Sequence, residues 1–279
     1  MTLLSNPCQK DESKISLETM NTLMLTNLFN LYKKKADDSS LLSEIFSDEF
    51  LEINRDLLSG LNNGSISIEE SLDLLKAYKK LGIQNVVCTF PVSSDHTETL
   101  ILKYLAEFEK LKNLANYNSQ RLNINLTYCA EYVLDDNFSN LIKGGKLFTL
   151  QKKWIFVTLP SSGTITEWKD RIGEIRKCGY SPILTQPERQ PNFRHDLAQF
   201  FELKSAGCFF KIALTSLLQD DAEGIQTISH WMLRNNLVDF ATTNLTKPNN
   251  QLIPVYKLTN QPIFELLKPI IQNTYQLKD

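Results

Sequence analysis

The feature that most constrains this 279-residue chain is an alternation that begins near Phe46. Short apolar runs of strand type are each followed by a polar loop and then by a stretch with helical spacing. The first run leads through Glu52-Ile53-Asn54-Arg55-Asp56 into a turn at Asn62-Asn63-Gly64. Ser67 then predicts a helix start, because Glu70 three residues on completes a capping box. Leu72, Leu75, Tyr78 and Leu81 make that helix's apolar stripe, and Gly82 ends it. Further strands are predicted over 84–89, 122–130 (ending on Glu131), 154–159, 182–185, 209–214 and 238–241. Helices are predicted over 97–114, 137–142, from a second capping box at Thr164 and Glu167 to near Gly179, and over 193–206, 221–235 and 262–275. Short strands alternating with helices imply a largely parallel sheet, joined by right-handed crossovers. Periodicity alone leaves open whether it closes into a barrel or stays an open wound sheet.

Residues 1–45 read as an N-terminal extension, and 46–279 as the domain. Within the extension, Leu17, Met20, Leu23, Met24, Leu28 and Leu31 fall at helical spacing, followed by a charged linker from Lys33. That amphipathic helix packs on the domain or offers its face to a partner. Thirty Lys+Arg stand against 32 Asp+Glu, a net charge of −2, so no long-range pull toward nucleic acid is expected. No apolar run is long enough to span a bilayer, and the first residues lack a secretory signal pattern. A cytoplasmic protein is expected. Its five cysteines (Cys8, Cys88, Cys129, Cys178 and Cys208) contain no CxxC pair and read as buried reduced thiols. There is no phosphate loop, no GxGxxG and no nucleophile elbow.

Five segments, in order, carry a resemblance. They are Ile53 to Gly64 (INRDLLSGLNNG), Thr89 to Asp95 (TFPVSSD), Ala130 to Phe138 (AEYVLDDNF), Pro182 to Arg189 (PILTQPER) and Phe240 to Lys247 (FATTNLTK). Together they resemble the PHP (polymerase and histidinol phosphatase) superfamily, and more narrowly the manganese-dependent tyrosine phosphatases of bacterial capsule and exopolysaccharide operons. The resemblance covers roughly residues 46–275. It implies an α/β fold, a distorted (β/α)7 PHP-type barrel, here with an N-terminal helical extension.

The departures concern metal chemistry. Where the family has ligand histidines and aspartates, this chain has Asn54, Asp56, Asn62, Pro91, Gln186, Asn244 and Thr246; of those ligand positions only Glu131 keeps its residue. Manganese sites need imidazole nitrogens and anionic oxygens that converge. Asn and Gln carbonyls are weak neutral donors, and Pro offers none. Glu188 and Arg189 are retained, and the resemblance implies that Arg189 helps to hold phosphate, a role its planar fork suits. The plainer reading is a Glu188–Arg189 pair that orders its loop. Of the three histidines, His230 reads as a helix-packing residue, while His96 and His195 could rebuild a metal site with Asp56 and Glu131.

The expectation is therefore a catalytically inactive phosphatase homologue with no cofactor. It would bind a protein partner, phosphotyrosine-containing or a paralogous phosphatase, in the regulation of polysaccharide export. The alternative is a residual manganese-dependent phosphotyrosine hydrolase with relocated ligands. A third option is a structural subunit whose mouth is filled by apolar side chains such as Phe90 and Leu245.

Overall fold

A computed structural model describes residues 46–47, 49–58, 66–93, 98–117, 122–145, 147–218, 224–246, 258 and 261–278. The N-terminal extension, Asn62 and His96 lie outside the described residues. Seven strands form one sheet in sequence order: β1 (Leu51–Asn54), β2 (Asn85–Val92), β3 (Asn125–Val133), β4 (Trp154–Thr158), β5 (Ser181–Thr185), β6 (Phe209–Ala213) and β7 (Phe240–Thr242). Every adjacent pair is parallel. Helices α1 (Ile68–Lys80), α2 (Glu98–Tyr117), α3 (Phe138–Gly144), α4 (Ile165–Lys177), α5 (Ala198–Ser205), α6 (Ile225–Arg234) and α7 (Phe264–Tyr275) follow the strands in turn. The arrangement is a nearly closed (β/α)7 barrel, as the resemblance implies.

Both predicted capping boxes form. The Ser67 hydroxyl accepts from the Glu70 N–H and the Glu70 carboxylate accepts from the Ser67 N–H; Thr164 and Glu167 repeat the pattern. Gly82 closes α1 at φ +86°, and a Cβ there would meet the Phe46 carbonyl oxygen at 2.8 Å. Only glycine takes that backbone and that approach without strain.

Two expectations need correction. The helix expected over 193–206 begins later, at Ala198: two 3-10 turns, Pro187–Arg189 and Pro191–Phe193, come first, and α5 fills the rest of the expected span. Pro187 and Pro191 lack the N–H that a helix needs and turn the preceding residue away from the α region. The α helix starts only after Asp196, whose carboxylate accepts from the Ala198 N–H. Glu131 does not end β3 but lies inside it, because β2 and β3 stay paired from Asn85↔Asn125 through Val92↔Tyr132.

Successive strand residues face opposite sides, and this splits the core in two. Leu51, Ile53, Val87, Cys129, Trp154, Phe156, Ile183 and Phe240 form a compact cluster inside the barrel. Their neighbours Val86, Cys88, Ile155, Val157, Leu184 and Phe210 face outward and pack with the helices. Phe90 belongs to that outer layer, stacked on Tyr104 of α2 at 5.2 Å, so it does not fill the mouth. Cys88, Cys129 and Cys208 are buried free thiols, whereas Cys178 is exposed at the end of α4.

Between β7 and β1 no ladder forms among the described residues. Side chains close the gap instead. The buried Glu52 carboxylate accepts from the N–H of Thr243 at 2.8 Å and of Asn244 at 3.1 Å. The Asn54 amide donates to the Leu245 carbonyl at 2.7 Å and to the Tyr78 hydroxyl at 2.6 Å.

Candidate functional site

Inward-facing positions change character at one level of the barrel. Two residues beyond an apolar member of the inner cluster, each strand or its exit carries a polar side chain. Ile53 is followed by Arg55, Val87 by Thr89, Cys129 by Glu131 and Phe156 by Thr158. Ile183 is followed by Thr185, Phe209 by Lys211 and Phe240 by Thr242. Because the strand repeat is two residues, this places a polar ring directly above an apolar plug. The ring surrounds a cavity of about 100 Å3 at the C-terminal ends of the strands, with Gln186, Arg189, Gln190 and Asn244 completing its wall. That end is where parallel α/β barrels place their ligands.

Glu131 is held from several sides. Its carboxylate accepts from the Thr185 hydroxyl at 2.8 Å and the Thr89 hydroxyl at 3.4 Å, and the Arg55 guanidinium lies 3.6 Å away. Lys211 is buried, and its ammonium donates to the Thr242 hydroxyl at 3.3 Å. Burial pushes the Lys211 pKa down; Glu131, Glu52 and Glu188 oppose that push. Burial raises the Glu52 pKa to about 7, against the two seam N–H groups and Lys211. Glu188 is raised by burial too, although the Ala213 N–H and Ser216 hydroxyl donate to it. Asp56 is raised chiefly by burial.

The residues singled out from the sequence divide clearly. Glu131, Gln186, Arg189 and Asn244 line the cavity. Asn54 does not; its amide and carbonyl are used at the seam, the latter accepting the Asp56 N–H at 2.7 Å. Pro91 sits in the β2 ladder opposite Glu131. Thr246 is half-buried, and neither it nor Asp56 is part of the cavity wall. His195 is exposed in the turn before α5, away from the cavity. A ring nitrogen of His230 lies 3.1 Å from the Leu217 carbonyl, a packing role. Glu188 ties its loop to β6 through Ala213 and Ser216, so its neighbour Arg189 is not its only partner. Gln186 and Asn244 both hold left-handed backbones, at φ +48° and +52°. Non-glycine residues in that region cluster at functional sites, where the surroundings over-determine them.

The residues present do not fit a manganese centre. Among the described residues no three His, Cys, Asp or Glu groups converge as a metal site. Among the described residues, Glu131 is the one carboxylate on the cavity wall, and it already faces Arg55 and the buried Lys211. An ammonium and a guanidinium beside that carboxylate would repel an incoming dication. Lys211, Arg55 and the four threonines of the ring were not picked out from the sequence as site residues. Their signal was there: a polar residue two places after an inward apolar one, on strand after strand.

Comparison with known proteins agrees with this architecture. A family model described as "Capsular polysaccharide synthesis, CpsB/CapC" matches residues 50–254. CapC of Staphylococcus aureus, assigned by name to the tyrosine-protein phosphatases, is 25% identical over 228 residues, 80% of this chain and 89% of that protein. The tyrosine-protein phosphatase CpsB of Streptococcus agalactiae serotype III is 22% identical over 246 residues, 81% of this chain and 99% of that protein. Among solved structures, work on YwqE from Bacillus subtilis and CpsB from Streptococcus pneumoniae, described as metal-dependent tyrosine phosphatases, gives a chain that superposes with a TM-score of 0.69. The identity is 16%, covering 82% of this chain and 94% of that one. This last likeness speaks for the fold alone.

Proposed function

Because this chain belongs to the capsular polysaccharide synthesis CpsB/CapC family, we propose that it is a non-hydrolytic member, a pseudophosphatase that works by binding. One observation carries this reading. The mouth is walled by amides, threonine hydroxyls, two guanidiniums and an ammonium, with a single carboxylate. Metal-dependent phosphoester hydrolysis needs a cation that activates water, and these donors suit an anion better than a cation. The partner is a protein, phosphotyrosine-containing or a relative of the family that is active, in the control of polysaccharide export. The alternative with relocated ligands is weakened by the position of His195, which faces solvent outside the cavity.

The test is metal content and turnover on the same sample. Protein dialysed against manganese and desalted should hold far less than one manganese per chain, and should not release phosphate from a phosphotyrosine peptide. Stoichiometric manganese with turnover abolished by Glu131→Ala would establish the hydrolase instead.

A further inference from the structure

The cavity at the mouth is built around a cation that belongs to the chain itself. We propose that Lys211, with Arg55 and Arg189, makes the mouth a metal-independent site for one tetrahedral oxyanion, the phosphate head group of a monoester or free phosphate. The inference rests on the reading that no metal occupies the mouth.

The geometry supports it in three ways. First, charge: among the described residues the wall carries three cationic side chains and one carboxylate, with Asp56 beside Arg55 just outside it. That carboxylate, Glu131, is already engaged by Arg55 and two threonine hydroxyls. The two other buried carboxylates that Lys211 feels, Glu52 and Glu188, lie behind the wall rather than on it. Burial raises the pKa of both and lowers that of Lys211, so these shifts offset one another; the two guanidiniums alone still outnumber the one carboxylate on the described wall. Second, size: a cavity of about 100 Å3, open at the mouth, has room for a phosphate group. The ester's organic part would stay in solvent. Third, placement: Lys211 comes from β6 and Arg189 from the turn after β5, and the two elements are tied together. The Gln186 N–H donates to the Lys211 carbonyl at 2.8 Å, and the Glu188 carboxylate accepts from the Ala213 N–H at 3.1 Å. Guanidinium forks pair with two oxygens of a phosphate, and an ammonium supplies a point charge. The site therefore draws its cationic donors from the exit of β1, the turn after β5 and β6, the last two tied together before the ligand arrives. A buried lysine among carboxylates also has a structural role, since it balances their charge; the anion site uses the positive remainder.

The test is a thermal-melt titration of the full chain in excess EDTA with inorganic phosphate, against chloride at matched ionic strength and with phosphotyrosine in a parallel arm. A ligand bound only by the folded state raises the melting temperature in a saturable way. The expected result is such a rise for phosphate or phosphotyrosine, whichever binds tighter naming the source, and none for chloride. Lys211→Met should weaken the apparent affinity at least tenfold. Arg55→Met, at a half-exposed position, should weaken it on the order of threefold, about 0.7 kcal/mol. If Lys211→Met does not fold, Arg55→Met and Arg189→Met decide the matter. No saturable response in the wild type, variants that bind as tightly as the wild type, or a response that appears only with added manganese would each overturn the proposal. Phosphate binding in EDTA alongside manganese-dependent turnover would sink the non-hydrolytic reading but leave the anion site standing.

Discussion

The β2–β3 ladder and the β7–β1 seam join neighbouring strands of one barrel with different materials. Between β2 and β3 the backbone does the work, in register over eight positions from Asn85↔Asn125 to Val92↔Tyr132. Backbone pairing is nearly indifferent to side-chain identity, so the hydrogen bonds of that junction do not hang on any one side chain. At the seam the backbone N–H groups of Thr243 and Asn244 find their acceptor in one side chain, Glu52, and the Leu245 carbonyl finds its donor in Asn54. A junction of this kind stands or falls with two residues. Its backbone groups are held by a titratable side chain, whereas those of the ladder are held by one another, so the hydrogen bonds of the seam are the ones that depend on pH.

The sharpest way to break that contrast is Glu52→Ala. It leaves the N–H groups of Thr243 and Asn244 without an acceptor, at a cost of about 4 kcal/mol in urea unfolding near pH 6. A loss under half a kcal/mol would show that the seam does not depend on this carboxylate.

The next effect is pH dependence. Glu52 titrates near 7 when folded, against an ordinary value of 4.5. A raised carboxyl pKa means the folded state holds the proton more tightly. Its contribution to stability is then fully present below about 4.5 and is lost as pH rises through about 7. A difference of this size corresponds to roughly 3 kcal/mol. Denaturant midpoints taken from pH 4.5 to 7.5 should show a decline in the wild type that is flattened in Glu52→Gln. Parallel curves for the two proteins would assign the decline to other groups.

The smallest effect lies away from both junctions. Thr164→Ala removes the hydroxyl that caps α4 and should cost about 1 kcal/mol. It should do so equally at pH 5 and pH 7, because the seam is untouched. A cost that varied with pH would show that the seam and the helical layer are coupled.

Much of the scaffold was legible in the residues themselves. Ser67 with Glu70 and Thr164 with Glu167 announce their helices because capping is local chemistry, complete within four residues. Strand positions were legible because apolar runs bounded by turn residues have few other uses. The candidate site was read only in part. Gln186, Arg189, Glu131 and Asn244 were reached through matched motifs, and they do line the cavity. Lys211 and Arg55 were missed because a lysine or arginine in a strand reads as surface until the inward parity of its strand is known. Phe90 was misjudged for the same reason: one position along β2 separates the mouth from the helical layer. Asn54 could not be read as a seam residue at all. Its partners, Tyr78 and Leu245, are 24 and 191 positions away, and no local pattern encodes such a distance.

Those separations also set an order of events for a chain emerging from the ribosome. Glu52 is made early, yet its acceptor duties begin only when residues 191 and 192 positions later have been added. Until then β1 has one neighbour, and the Glu52 carboxylate keeps its hydration and its charge. Translation must pass Asn244 before that water can be given up, so among the described strands β1 is the last to gain its second edge.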